Sequence, residues 1–384
     1  MVKVPASVEG RFACMVLALA TATAGCAQGG PRQDSVQAAP SVGSAAQVRA
    51  AITNSAPAPE GLARAANPAS PAPAPAAAVA ESKEAIEAEY RRIMDTDDEA
   101  QAEVDRWIRE NQDYAAKGAG LPQAELARRI RQRFEPVRKA YEDFIRRHPA
   151  HAAGRVAFAS FLGDLDEEEA AQEQLEKALA LDPKNPAIYN NLANIYGHRG
   201  PVKSAFDCFA KAIQLNPSEP VYYHNFGTTV YVFRKDAMDY FALNEQQVIE
   251  KALGLYSNAM RLDPDNFPLA SDVAETYYAI KPLRTDEALR AWTNALRVAH
   301  SGVEREGVHI HLARIKMVAG RLADARADLN AVTNSIYDEL KSRITHRIEE
   351  RERNPNETNA PPAAFLQERQ PAETAQPLSG RSNK

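Results

Sequence analysis

Cysteine, tryptophan and long apolar runs are all scarce in this 384-residue chain. It has three cysteines (Cys14, Cys26 and Cys208) and two tryptophans. Three scattered thiols exclude a disulfide framework, and Cys208, beside Phe209, reads as a small packing residue. The one concentrated apolar stretch, FACMVLALATATAG near the start, is too short to span a bilayer. A glycine-rich phosphate loop, a G-x-S-x-G elbow and an H-E-x-x-H helix are also missing, which removes the commonest nucleotide, hydrolase and zinc-protease readings. His309 and His311 stand two residues apart, so on a helix their side chains point about 200° from one another and cannot share a metal. The acidic runs Asp95 to Glu99 and Asp164 to Glu169 fall at turns and helix starts, where negative charge is favourable. The net charge is −5 with both signs interspersed, so nothing attracts nucleic acid and a basic partner is slightly favoured. No catalytic residue, cofactor or metal is expected, and the chain reads as a non-enzyme.

What the sequence does have is a period. Pro149, Pro183 and Pro217 lie 34 residues apart, and KALALDPKNP and KAIQLNPSEP lead into the last two. A related segment, NAMRLDPDNF, closes on Pro264, 47 residues after Pro217, so one repeat carries 13 extra residues. Small residues keep the same register. Ala178 and Ala212 precede their prolines by five and Ala171 and Ala205 by twelve, while Phe158-Ala159, Leu192-Ala193 and Phe226-Gly227 set a large residue beside a small one. Helices approach closely only where side chains are small.

Tyr189, Leu192, Ala193, Tyr196, Gly200, Ala205, Phe209, Ala212 and Pro217 fit a helix–turn–helix pattern. This resembles the tetratricopeptide repeat (TPR) family, and the likeness extends over roughly residues 152–339. It implies an all-α solenoid, a right-handed superhelix of units 152–185, 186–219, 220–266 with the insertion, 267–305 and 306–339. Ahead of these, residues 81–151 read as N-terminal helices. Thr96 and Glu99 form a capping box between two of them, and Val137, Tyr141 and Phe144 mark a degenerate half-repeat in which Pro136 kinks the helix or delays its start. Ile336, Leu340, Ile344 and Ile348 recur every fourth residue in a helix over 340–353 that closes the stack and ends near Arg353.

Residues 1–25 read as an export signal. The run Thr23-Ala24-Gly25-Cys26 resembles a bacterial lipoprotein signal, which implies lipidation of Cys26 and an outer-membrane protein facing the periplasm. The alternative is ordinary cleavage after Ala24 and a soluble periplasmic protein. Residues 26–80, rich in Ala and Pro, read as a disordered tether, and residues 354–384, with Phe365-Leu366, as a disordered tail.

The resemblance places the first helix of each unit on a ligand-holding groove. Mapped onto this chain, the groove residues are Asn190, Asn194 and His198, then His224, Thr228 and Tyr231, then Ser271, Glu275 and Tyr278, then Arg314 and Met317. Asparagine amides there can bond an extended peptide backbone, and the competing reading is a solvated polar face. In the insertion, Asn244 and Gln247 form a helix start. Met238, Tyr240, Phe241 and Leu243 either make an exposed binding patch or fold back on neighbouring helix ends. The function expected is a non-catalytic envelope scaffold for partner proteins or peptides. An enzyme or enzyme subunit using residues 234–247 is the alternative.

Overall fold

The computed structural model describes residues 81–115 and 118–353. The signal segment, Cys26, the tether and the tail lie outside them. The described residues are all-α, built of helical hairpins in series, and they form two compact bodies with the division between Ile195 and Tyr196.

The first body opens with α1 (Lys83–Ala115) and α2 (Gln123–Arg147), followed by α3 (Ala152–Asp164), α4 (Glu168–Leu181) and the start of α5 (Pro186–Arg199). The break expected at Thr96 does not occur. The Thr96 hydroxyl donates to the Arg92 carbonyl at 2.8 Å, a bond to its own preceding turn that leaves the helix intact. The helix runs on because Ile93, Met94, Ala100, Val104 and Ile108 form one buried stripe across the supposed boundary. Asp97, also buried, accepts from the Tyr141 hydroxyl at 2.8 Å.

Pro136 lies inside α2, so the late start is also overturned. A mid-helix proline costs roughly 3 kcal/mol. On either side Ile130, Phe134, Val137, Tyr141 and Phe144 are buried, each contributing about 1.5–3 kcal/mol, so tertiary burial outweighs the lost helix bond.

The second body continues through α6 (Val202–Leu215), α7 (Pro220–Val232), α8 (Arg234–Phe241), α9 (Glu245–Leu262), α10 (Phe267–Thr276), α11 (Thr285–Val298), α12 (Gly302–Val318), α13 (Leu322–Asn330) and α14 (Asp338–Arg353). The 13 extra residues build α8 as a separate two-turn helix. Ala242 in the left-handed region (φ 53°) ends it, and the Asn244–Gln247 capping box starts α9. Helix α12 starts at Gly302 on a Ser301–Glu304 capping box, ahead of the boundary expected at 305/306. At the far end, Ile344 and Ile348 are buried against Leu329 and Val332, whereas Ile336 and Leu340 are about 40% exposed. Ile336 sits in a short 3-10 turn (Ser335–Tyr337), off the stripe the four-residue spacing predicts.

The periodic prolines have a consistent task. Each follows a C-cap residue (His148, Asp182, Asn216 or Asp263) whose N–H bonds the carbonyl four residues back at 2.8–2.9 Å. The proline then prevents another turn. Its carbonyl is used in turn: Pro149 accepts from Arg155, Pro183 from Tyr189 and Pro217 from Tyr223, in each case six residues on. The turn that ends one hairpin is thereby fastened to the first helix of the next. Small residues admit the large ones between the helices. At Gly227 an added Cβ would come within 2.8 Å of the Tyr256 ring.

Candidate functional site

The residues expected to face a groove divide into two groups. In the first body, Asn190 and Asn194 sit one turn apart on α5, only 1% and 4% exposed. Asn190 donates to the Asn191 side chain at 3.2 Å. The Asn194 amide nitrogen is buried and has no hydrogen-bond partner among the described residues. An unsatisfied buried donor costs on the order of 1–3 kcal/mol, so its presence calls for a reason. The picture of a solvated polar face is therefore wrong for this pair.

In the second body, His198 is half-buried near the end of α5. His224, 8% exposed on α7, places Nε2 2.7 Å from a carboxylate oxygen of Asp272 on α10. Its ring meets Tyr256 edge-on, with centroids 5.8 Å apart. The Tyr256 hydroxyl, whose pKa burial raises well above the ordinary tyrosine value, donates to the Thr228 hydroxyl at 3.1 Å. Thr228 is thus committed to the packing between helices. Arg234 lies over the Tyr231 ring at 4.9 Å and donates to the Tyr231 carbonyl.

Ser271 and Glu275 are half-buried on α10. Beyond them, Tyr278 bonds His311 Nδ1 at 3.1 Å, Arg314 lies over the Tyr278 ring at 4.7 Å, and Trp292 stacks on His311 with centroids 4.0 Å apart. Burial raises the Tyr278 hydroxyl pKa, so it stays a neutral donor. His309 leaves His311 to pair with Asp328 at 3.1 Å. Met317 does not belong to this row: it is 1% exposed and packs with Ile310, Ala313, Ala325 and Leu329.

Sequence reasoning missed Asp272, His311 and Trp292 as members of this second group. Asp272 lies 48 residues after His224, close to the interval that separates the prolines of these two units, so neighbouring-unit register was the signal available.

The insertion does not present a free apolar patch. Phe241 packs on Phe206 (5.6 Å) and Phe226 (6.4 Å), with Lys251 over its ring at 4.2 Å. Tyr240 meets Phe206 edge-on, and its hydroxyl donates to Asp207, which pushes its pKa up to about 12. Met238, Phe241 and Leu243 are half-buried, and Tyr240 is 36% exposed. The fold-back alternative is the one observed, because α8 turns at Phe233 and lays these rings on α6 and α7. Nearby, Cys208 has its thiol pKa raised to about 11 by burial and by Asp207, so at neutral pH it is protonated and a poor nucleophile.

Family models match the chain at residues 164–200, as TPR repeat, and at 186–219, as tetratricopeptide repeat. No curated protein matches it. Among solved structures it is similar to the TPR protein YrrB, described as having an unusual peptide-binding site (18% identity, 54% of this chain and 99% of that one, TM-score 0.42). It is also similar to a TPR protein of Thermus thermophilus (21%, 52% and 99%, 0.38) and to the type IV pilus biogenesis factor PilW (14%, 63% and 98%, 0.45). Residues 164–219 carry tetratricopeptide repeats, and the helical hairpins on either side are of the same all-α class.

Proposed function

We propose that this protein is a non-catalytic scaffold of the bacterial cell envelope that binds peptide segments of partner proteins along the first helices of its repeats. The observation that carries this reading is Asn194. Its amide nitrogen is buried without a partner among the described residues, beside Asn190 on the same helix. The nitrogen is closed to solvent in this conformation, so a peptide carbonyl laid against α5 supplies the acceptor that the amide lacks once the Asn194 side chain rotates outward, and it does so without demanding a particular side chain. Tetratricopeptide repeats at 164–219 support an interaction module as the general class.

Envelope attachment rests on the signal-like N-terminus and on Cys26 as the acceptor of a lipid anchor, and on this reading the helical bodies face the periplasm. Two experiments test the reading. Selection from a random peptide library on the purified chain should enrich binders that Asn194→Ala no longer holds, and failure to enrich any peptide contradicts it. Fractionation of cells carrying Cys26→Ser should move the protein from the membrane to the soluble periplasm. An unchanged partition contradicts the anchor alone.

A further inference from the structure

We propose that Glu81, Glu89 and His148 form a binding site for a divalent transition-metal cation at the edge of the first body. One carboxylate oxygen from each glutamate and one imidazole nitrogen of His148 all lie within 4.8 Å of one another. His148 Nε2 is 3.3 Å from a Glu81 oxygen and 3.7 Å from a Glu89 oxygen. Around a tetrahedral cation with bonds of about 2.1 Å, ligand atoms sit roughly 3.4 Å apart, so the two histidine–carboxylate spacings already match one shared ion.

The three ligands come from different places. Glu81 precedes α1, Glu89 lies in its second turn and His148 lies just past α2. The imidazole is held by the Phe144 ring, with centroids 4.9 Å apart, and its side chain is 12% exposed, while half of Glu81 faces solvent and leaves a way in. Two carboxylates and one imidazole suit Zn²⁺ or Mn²⁺, and further positions stay open to water. Bound there, the ion would fasten the residues that lead into α1 onto the turn between α2 and α3.

The charged neighbours set the strength. Arg147 pairs with both oxygens of Glu89 and keeps that carboxyl below the usual range, hence ionised. The same guanidinium repels a cation. Beside it, His151 Nε2 lies 3.3 Å from Glu87, a separate pair, and the His151 ring meets Phe144 edge-on.

The test is titration of the full chain, first stripped with a chelator, with ZnCl₂ by calorimetry and with Co²⁺ by visible absorption. One equivalent of metal should bind. Glu81→Gln and His148→Gln should each weaken it at least about tenfold, and Arg147→Gln should strengthen it about tenfold by removing a like charge within contact range. Thermal melts without metal check that each variant is folded. Affinity unchanged in Glu81→Gln and His148→Gln, weaker binding in Arg147→Gln, or a thiolate-to-cobalt charge-transfer band that marks a cysteine site would each overturn the proposal.

Discussion

His224 Nε2 and an Asp272 carboxylate oxygen stand 2.7 Å apart, so one charge-assisted bond joins the first helix of the insertion-bearing unit to the first helix of the next. Both side chains are nearly buried, at 11% and 13% exposure. Removing either partner strands the other without its bond. Asp272→Ala should lower stability by about 2 kcal/mol. A double-mutant cycle with His224→Ala should show the two losses to be non-additive by about 1 kcal/mol or more. Additive losses in urea denaturation contradict the link.

The crossing of α7 and α9 depends on a missing methyl group. A Cβ at Gly227 would meet the Tyr256 ring at 2.8 and 2.9 Å, whereas one at Gly254, on α9, meets nothing within 4 Å. Gly227→Ala should therefore destabilise by about 1–3 kcal/mol through overpacking. Gly254→Ala should stabilise by about 0.5–1 kcal/mol through helix propensity. Thermal or urea unfolding of the two variants reads opposite signs from the same substitution, and equal signs contradict the packing described.

The repeat was legible in the sequence because its punctuation is chemical. Proline after α2, α4, α6 and α9 and small residues where helices cross follow from backbone geometry, and the Asn244–Gln247 cap forms as its residue types predict. What was not legible depended on neighbours distant in sequence. Thr96 and Glu99 match a cap locally, yet the stripe from Ile93 to Ile108 is buried against other helices, so α1 continues. The rings of α8 gave no sign of their partners, since Phe206 and Phe226 lie in two other helices. Of the candidate binding residues, position along the helix was readable. The commitments that take Thr228 to Tyr256, His224 to Asp272 and Tyr278 to His311 were not.

If α8 is held by its rings, removing one should loosen that helix and leave the bodies folded. Phe241→Ala should cost about 2 kcal/mol locally, seen as faster amide exchange over residues 234–243. Tyr240→Phe, which keeps the ring and loses only the bond to Asp207, should have the smaller effect. Unaltered protection in Phe241→Ala contradicts the docking.

Burial sets an alkaline limit. The Cys208 thiol rises from 9.0 to about 11 on folding. The native state thus keeps a proton that the unfolded chain releases first. The associated stability is complete below about pH 9 and is lost as pH climbs towards about 11. Cys208→Ala should flatten that part of the stability–pH curve. In the wild type, alkylation at neutral pH should be slow until urea unfolds the second body. Rapid labelling of Cys208 in the folded protein at neutral pH contradicts the half-buried, protonated thiol.

Asn194 tests the central claim most directly, because binding and stability should move in different directions. An amide nitrogen buried without a partner weakens the free protein, so Asn194→Ala should leave the unfolding free energy unchanged or raise it by up to about 1 kcal/mol. Calorimetric titration of wild type and Asn194→Ala with one library-selected peptide should show at least about a tenfold loss of affinity in the variant, with its fold intact. Equal affinity for the two proteins would contradict peptide binding through this amide.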